Sequence, residues 1–201
     1  MRVRGILTAT SNVALIEMFG LFVYAQGHRV VVDGVLTSAP FALQYALLFC
    51  LFIVRRKPLV VSRRPLDWLV GIGAWLPLFM RPADSSQSMA IAGASVAAMG
   101  AMLTIVGVAS LGRSFGIVAA NRGIQTSGAY QLLRHPVYSA ECIGIVGNLI
   151  CNPSLTNLAI AIATICLLAP RIGAEEHVLM QDASYRLYKR QVRWRLVPGV
   201  Y

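Results

Sequence analysis

Two polar segments, 112–136 and 171–201, hold most of the side chains in this chain that could do chemistry. The first runs through Gly128-Ala-Tyr130 to Arg134-His-Pro-Val-Tyr138. Proline suits the first turn of a helix, because the N–H it lacks has no partner there anyway. A loop therefore arrives, presents Arg134 and His135, and turns into a helix at Pro136. The free N–H groups of that helix start, together with the helix dipole, suit a carboxylate. A plainer reading is equally open: a basic anchor at a membrane surface with interfacial tyrosines. The second segment opens with Arg171-x-x-x-Glu175-Glu176. Residues four apart share a helix face, so Arg171 and Glu175 sit together while Glu176 points about 100° away. Two carboxylates just beyond an apolar run suit a ribose diol, an amine or a sulfonium. Taken alone, the same residues also read as a surface ion pair worth about 0.3–0.5 kcal/mol.

The elements that must position these groups follow from composition. The 201 residues are 57% hydrophobic and 13% charged, with a mean hydropathy of +0.65. A soluble domain carries about 25% charged residues, so lipid is the expected solvent for much of this chain. The net charge of +10 raises the question of nucleic acid. The basic residues fall in short blocks between apolar runs, with no basic domain, aromatic-interleaved basic stretch or zinc-finger spacing, so no nucleic-acid partner is expected. Cys50, Cys142, Cys151 and Cys166 lie in apolar runs or at their ends and form no CxxC pair. They read as small buried hydrophobes, with neither a zinc site nor a disulfide framework. The basic N-terminus before an apolar run resembles a signal peptide. Asn12 and Glu17 interrupt the run and no small-x-small cleavage site follows, so a retained first span is expected.

Six apolar stretches appear, at 6–25, 35–54, 66–80, 89–111, 137–151 and 155–170. A full span needs about 20 residues. The second and fourth meet that, whereas the third and the last two are short. Asn152-Pro153-Ser154 marks a turn, so the last two read as a helical hairpin whose helices need not each cross fully. With a cytoplasmic N-terminus and six crossings, sixteen basic residues lie inside and only Arg29 and Arg81 outside. That bias places both termini in the cytoplasm. The tail after Pro170 is polar and basic. Val178, Tyr185, Tyr188 and Val192 give it one apolar helical face, so a cytosolic or interfacial helix is expected, ending near Val197-Pro198-Gly199. The fold expected is all-α: a polytopic membrane bundle of about five to six segments with a C-terminal hairpin and interfacial helix. It divides into N-terminal membrane helices (1–111) and a C-terminal cofactor-binding, catalytic region (112–201) within one membrane domain.

Taken together, the two segments are far more specific than either alone. The order Gly-x-Tyr-x3-Arg-His-Pro-x-Tyr, apolar hairpin, Arg-x3-Glu-Glu, tyrosines and terminal Pro resembles the isoprenylcysteine carboxyl methyltransferase family and the related membrane phospholipid methyltransferases. The resemblance covers about residues 110–198, and the first 100 residues match only as generic membrane helices. It implies an S-adenosylmethionine-dependent enzyme whose cofactor lies between the Arg-His-Pro segment and the Glu-Glu helix. Tyr130, His135 and Tyr138 would line the cofactor, with backbone groups near Ile124, Leu133 and Pro136, and Glu176 at its polar end. Arg171 and Glu175 would be catalytic, near the methyl group and a lipophilic acceptor. One position departs: the family often has Gly two residues after the motif's last Tyr, where this chain has Ala140.

Nothing in the sequence reads the acceptor as carboxylate, amine or thiol. A carboxylate would need no base and would be oriented by Arg171. An amine could give its proton to Glu175. Two other classes stay open: an NADPH-dependent, sterol-reductase-like membrane enzyme, and a non-enzymatic membrane scaffold. Gly71-Ile-Gly73 lacks the third glycine of a dinucleotide fingerprint and lies in a span. No HExxH, GxSxG or P-loop appears, and no metal is expected. Glu17 and Glu141 fall inside apolar stretches, where a charge costs about 2.5–3.5 kcal/mol on insertion scales. Each should face protein or a cavity, with Glu17 in a helix–helix hydrogen bond. His28 is expected in a loop and His177 solvated.

Overall fold

The computed structural model describes the chain apart from residues 1, 35–37, 63 and 74, with the backbone alone at 2–12 and 14. The expected start of the second apolar stretch and Arg63, one of the sixteen basic residues counted inside, lie outside the described residues. Among the described residues seven α-helices follow in order: α1 (Arg2–Val31), α2 (Ala39–Val54), α3 (Pro65–Gly73), α4 (Gln87–Leu111), α5 (Pro136–Cys151), α6 (Leu155–Leu179) and α7 (Ala183–Gln191). Two short strands, β1 (Val60–Val61) and β2 (Ala120–Asn121), pair antiparallel. The architecture is helical as expected, with this strand pair added where two loops meet. α4 with the turn after it (Gln87–Ser114) and α6 are each long and apolar enough to cross a membrane. α5, at 16 residues, is about 24 Å long, short of the ~30 Å hydrocarbon core.

Small residues fix the tightest packing. Gly93, Gly100 and Gly107 recur every seventh residue, which keeps them on one side of α4. α5 lies antiparallel against that side. A Cβ on Gly93 would meet the Cys151 backbone at 2.5 Å, one on Gly100 would meet Gly144 at 2.5 Å, and one on Gly147 would meet Ala97 at 2.3 Å. In a membrane, where lipid is as apolar as leucine, such backbone-to-backbone approach is what holds helices together. Ala140 fits into the same seam, 1% exposed. Its carbonyl would lie 3.0 Å from a Cβ on Gly100, so this stretch of α5 packs closely on α4 with alanine at the position where the family often has glycine.

The third apolar stretch is not one helix. α3 ends at Gly73 and a 3-10 turn covers Leu76–Phe79. The broken segment still runs the whole length of α6 in the opposite direction. Arg81 exchanges hydrogen bonds with the Asn157 side chain near one end of α6, at 3.0 and 2.8 Å. A Cβ on Gly73 would touch Leu167 midway, and Arg64 and His177 line one hollow near the other end.

α6 itself departs from expectation. Pro170 does not end it, and the helix continues to Leu179. Ser154 caps its start by accepting from Asn157 N, as the Asn-Pro-Ser turn predicts. Proline removes one intrahelical hydrogen bond without ending the helix where packing holds both sides. The consequence is functional: Arg171, Glu175 and Glu176 ride on a membrane helix rather than on a separate tail. Val178 accordingly belongs to α6, while Tyr185, Tyr188 and Val192 form the buried face of the shorter α7. α7 stops at Gln191, not near Val197. His28 lies in α1, which extends to Val31, rather than in a loop. Glu17 is exposed on the outside of the bundle and makes no helix–helix hydrogen bond among the described residues. Cys50 and Cys166 are exposed rather than buried, and Cys142 and Cys151 are half-buried.

The α4–α5 seam makes a direct prediction. Gly100→Ala and Gly147→Ala should each lower stability by about 1–3 kcal/mol, the cost of overpacking. Gly173→Ala on α6 meets nothing within 4 Å and should be neutral or slightly stabilising. Thermal unfolding in detergent measures all three, and equal melting temperatures would show the seam to be slack.

Candidate active site

The loops 55–62, 112–135 and the tail meet at one end of the bundle. β1 pairs with β2, Arg113 Nε donates to Val54 O at 2.8 Å, and Asn121 Nδ2 donates to Asp182 at 3.0 Å. Before α5 the chain makes a 3-10 turn at Gly128–Gln131. Gly128 has φ +61, and a Cβ there would lie 2.4 Å from Ser110 Oγ. Only glycine combines that backbone with that approach, and it sets Tyr130 into the core. Tyr188 Oη donates to Tyr130 O at 2.6 Å. His135 then holds an extended φ of −131° and Pro136 opens α5.

The tail closes over this start. Arg134 N and His135 N donate to Trp194 O and Arg195 O, both at 2.9 Å, and Ser139 Oγ donates to Leu196 O at 2.6 Å. Glu176 locks the assembly. Its carboxylate accepts from Arg134 Nη1 at 2.6 Å and from Arg195 Nε and Nη2 at 3.2 and 3.0 Å. His135 Nε2 lies 3.4 Å away and Lys189 Nζ 3.5 Å. Hydrogen bonds from ionised donors in this forked geometry are the strong kind. Glu176, Arg134 and His135 are all buried.

Beside this lock is a cavity of about 370 Å³. At its polar end stand Arg122, Ile124, Tyr130, His135, Tyr138, Glu141, Arg171, Glu175 and Tyr185. Its other end runs between α1, α2, α4 and the broken segment, past Phe19, Phe22, Tyr45, Leu48, Trp75 and Leu78. Tyr138 organises the junction. Its hydroxyl donates to Glu175, its ring lies under the Arg171 guanidinium at 4.6 Å, and the His135 ring stacks on it at 5.6 Å and 6°. His135 Nδ1 is 3.8 Å from Glu175. The expected pairing of Arg171 with Glu175 is thus indirect: Tyr138 sits between them, and no ion pair joins them among the described residues. Arg171 Nε and Nη1 and Tyr185 Oη are buried without hydrogen-bond partners among those residues. Burial raises the Tyr130 and Tyr185 hydroxyls well above the ordinary phenol range, and Tyr188 to about 12. All three stay neutral and able to donate. Burial lowers Arg122 to about 10, with the nearby Arg55 charge adding to the effect.

Of the residues predicted from sequence, Ile124, Tyr130, His135, Tyr138, Arg171 and Glu175 line this cavity. Leu133, Pro136 and Glu176 do not. Leu133 offers its carbonyl to Tyr188 Oη at 3.3 Å, Pro136 is buried at the helix start, and Glu176 is saturated by its cations. Sequence reasoning missed Arg122, Tyr185 and the aromatic end from α1, α2 and the broken segment. Their spacing carries no pattern, because residues far apart in the chain converge only on folding. Glu141 could have gone either way, and it lines the cavity.

Residues 93–181 match the model of the Isoprenylcysteine carboxyl methyltransferase (ICMT) family. This ICMT-like region takes in most of α4, the loop with the Arg-His-Pro motif, α5 and α6; it begins earlier than the resemblance read from the motifs, about 110–198, and stops before the tail. Protein-S-isoprenylcysteine O-methyltransferase B of Arabidopsis thaliana is 34% identical over 96 residues, 44% of this chain and 48% of that protein. The match thus spans about half the length of that curated relative. The solved structure of the eukaryotic intramembrane Ras methyltransferase ICMT covers 100% of this chain and 87% of its own, with a TM-score of 0.58 and 19% identity. The helical fold of an ICMT therefore extends over α1 to α3 as well, beyond the region that the family model matches.

Glu176→Gln should leave Arg134 and Arg195 facing an uncharged amide. Breaking a buried pair from one side costs about 3–5 kcal/mol. The variant should melt earlier, and limited proteolysis should cut within 192–201 where the parent resists. Parent-like proteolysis would show that the tail is held elsewhere.

Proposed function

We propose that this chain is an integral membrane methyltransferase that uses S-adenosylmethionine and acts on a lipophilic acceptor at the cytosolic membrane boundary. The observation that carries the proposal is the two-ended cavity. A charged end opening among loops and an aromatic end among membrane helices suit a water-soluble donor and a lipid-soluble acceptor meeting in one space. The ICMT family match and shared fold support the same reading.

The residues present fit such a donor. Buried polar atoms are rarely left without partners, yet Arg171 and Tyr185 hold such atoms at this cavity. Ile124, Tyr130, His135 and Tyr138 would hold the cofactor, with the Leu133 and Pro136 backbone shaping the wall behind them. Glu176 would act through Arg134, Arg195 and His135, by fixing the wall rather than by touching the cofactor. When bound, S-adenosylmethionine supplies an electrophilic methyl group. Arg171 and Glu175, set about Tyr138, would align the acceptor in line with it. Orientation of this kind removes about 7–11 kcal/mol of a barrier. Aromatic walls exclude water, so the acceptor nucleophile reacts desolvated. In this reading 112–201 supply most of the polar end and 1–111 most of the aromatic end, which makes the two parts one domain.

Binding and turnover test the proposal separately. Calorimetry in detergent should detect S-adenosylhomocysteine and not NADPH; the reverse result would favour a reductase. Arg171→Ala should lose methyl transfer by more than tenfold while cofactor affinity changes less, as for a group acting mainly in the transition state. Lys should rescue poorly, because it lacks the planar fork of Arg.

Orientation follows from the same site. The basic loops gather at the charged end, so we place that end and both termini in the cytoplasm. In intact cells, a cysteine introduced at Arg190 should resist an impermeant reagent and one at Arg29 should react. The opposite pattern would invert the topology.

A further inference from the structure

Arg122 has no role in the assembly described so far. It follows β2, is 9% exposed and lines the polar end of the cavity. The backbone around it is held on both sides. Ser114 Oγ donates to Arg122 O at 3.1 Å, and Gly123 N donates to Asn121 Oδ1 at 2.8 Å. The guanidinium packs on Gly116, where an added Cβ would come within 2.8 Å of Arg122 Cζ. Yet Arg122 Nε is buried with no hydrogen-bond partner among the described residues. A buried guanidinium left in that state is costly unless an anion meets it.

The charges around it are unevenly shared. The cavity lining carries Arg122, Arg134, His135 and Arg171 against Glu141 and Glu175. Arg134 is held by Glu176, and His135 lies between Glu175 and Glu176. Glu141 makes no hydrogen bond or ion pair among the described residues, and it and Glu175 both act on Arg171. The charges that act on Arg122 are Glu175 and a second cation, Arg55. Arg56 Nη1 stands close by, 3.1 Å from where a Cβ on Gly123 would lie. Asp182, bonded to the same loop, is taken up by Asn121 Nδ2 and Ser184 N. Positive charge is therefore in excess on the loop side of the polar end, and balanced on the side of Arg171. A lipophilic acceptor would arrive along the membrane helices, and the guanidinium that rides on one of them is Arg171. Arg122 comes from the loops, two residues from Ile124, where a water-soluble donor would enter.

Resting on the methyltransferase reading above, we propose that Arg122 binds the carboxylate on the amino-acid end of the cofactor and thereby sets which way round the cofactor lies. The planar guanidinium can grip a carboxylate with two parallel hydrogen bonds. Gly116 leaves the room it needs, and the fixed backbone at 121–123 holds it ready before the ligand arrives.

Calorimetry of the full chain in detergent tests this with two ligands. One is S-adenosylhomocysteine. The other is its decarboxylated analogue, which keeps the adenosine, the thioether and the amine. The parent should bind S-adenosylhomocysteine at least about tenfold more tightly than the analogue. Arg122→Gln should weaken S-adenosylhomocysteine by more than about tenfold and the analogue by less than about twofold, so that the variant no longer tells the two apart. Arg122→Lys should fall between parent and Gln, because it keeps the charge and loses the fork. If Arg122→Gln does not fold, Gly116→Ala decides: it keeps the charge, pushes the guanidinium aside and should weaken S-adenosylhomocysteine selectively. Equal loss of both ligands would make Arg122 a structural residue and overturn the proposal. So would unchanged binding in the variants, or a parent that binds the two ligands alike, while the methyltransferase reading stands. A parent that binds neither ligand removes both.

Discussion

The buried carboxylate of Glu176 is the constraint on which the loop-and-tail end of the bundle depends. A charge taken out of water must be met by charge and by hydrogen bonds, or it costs several kcal/mol. Here Arg134 comes from the loop before α5, Arg195 from the tail, and Glu176 from a helix that begins at the far side of the bundle. Satisfying one carboxylate therefore fixes three parts of the chain against one another. The backbone pairing of Arg134 and His135 with Trp194 and Arg195 follows from that closure. So does the placement of the His135 ring against Tyr138.

A second constraint acts through absence of side chains. The glycine repeat on α4 lets α5 approach backbone to backbone, which sets where Tyr138 and Glu141 stand. On the other side of the site α6 continues through Pro170 and delivers Arg171 and Glu175. The cavity is the space left between a closely packed α4–α5 pair and a helix that the broken α3 segment holds along its length. Its aromatic end is closed by α1 and α2, where Phe19 stacks on Phe52 at 5.2 Å and leans against Trp75 at 6.0 Å. On the proposed function, affinity for a lipid-soluble molecule and alignment of a reacting group would come from different helices.

The chemistry proposed for the site is mostly a matter of position. Tyr138 illustrates this: one side chain touches Arg171, Glu175 and His135 through its face and hydroxyl. Neighbours that constrain a catalytic group through hydrogen bonds and stacking reduce what must be reorganised during reaction. The free carboxylate of Glu141 and the unpartnered nitrogens of Arg171 are the groups that this arrangement leaves open to a ligand.

The sequence by itself determined the membrane class, most helix positions and the motif-bearing residues. Each of these is local. Apolar runs declare themselves by length, Pro136 and Ser154 mark helix starts by backbone chemistry, and the Arg-His-Pro and Glu-Glu motifs are short strings. Tertiary structure decided the partners. Helix spacing placed Glu176 away from Arg171 but could not say that Arg134 and Arg195 would surround it. It put Arg171 and Glu175 on one face but not Tyr138 between them. Pro170 looked like an end because proline removes a hydrogen bond, and only packing on both sides carries a helix through it. The aromatic half of the cavity was illegible for the same reason. Phe19, Tyr45 and Trp75 are ordinary membrane residues until folding brings three distant segments together around one space.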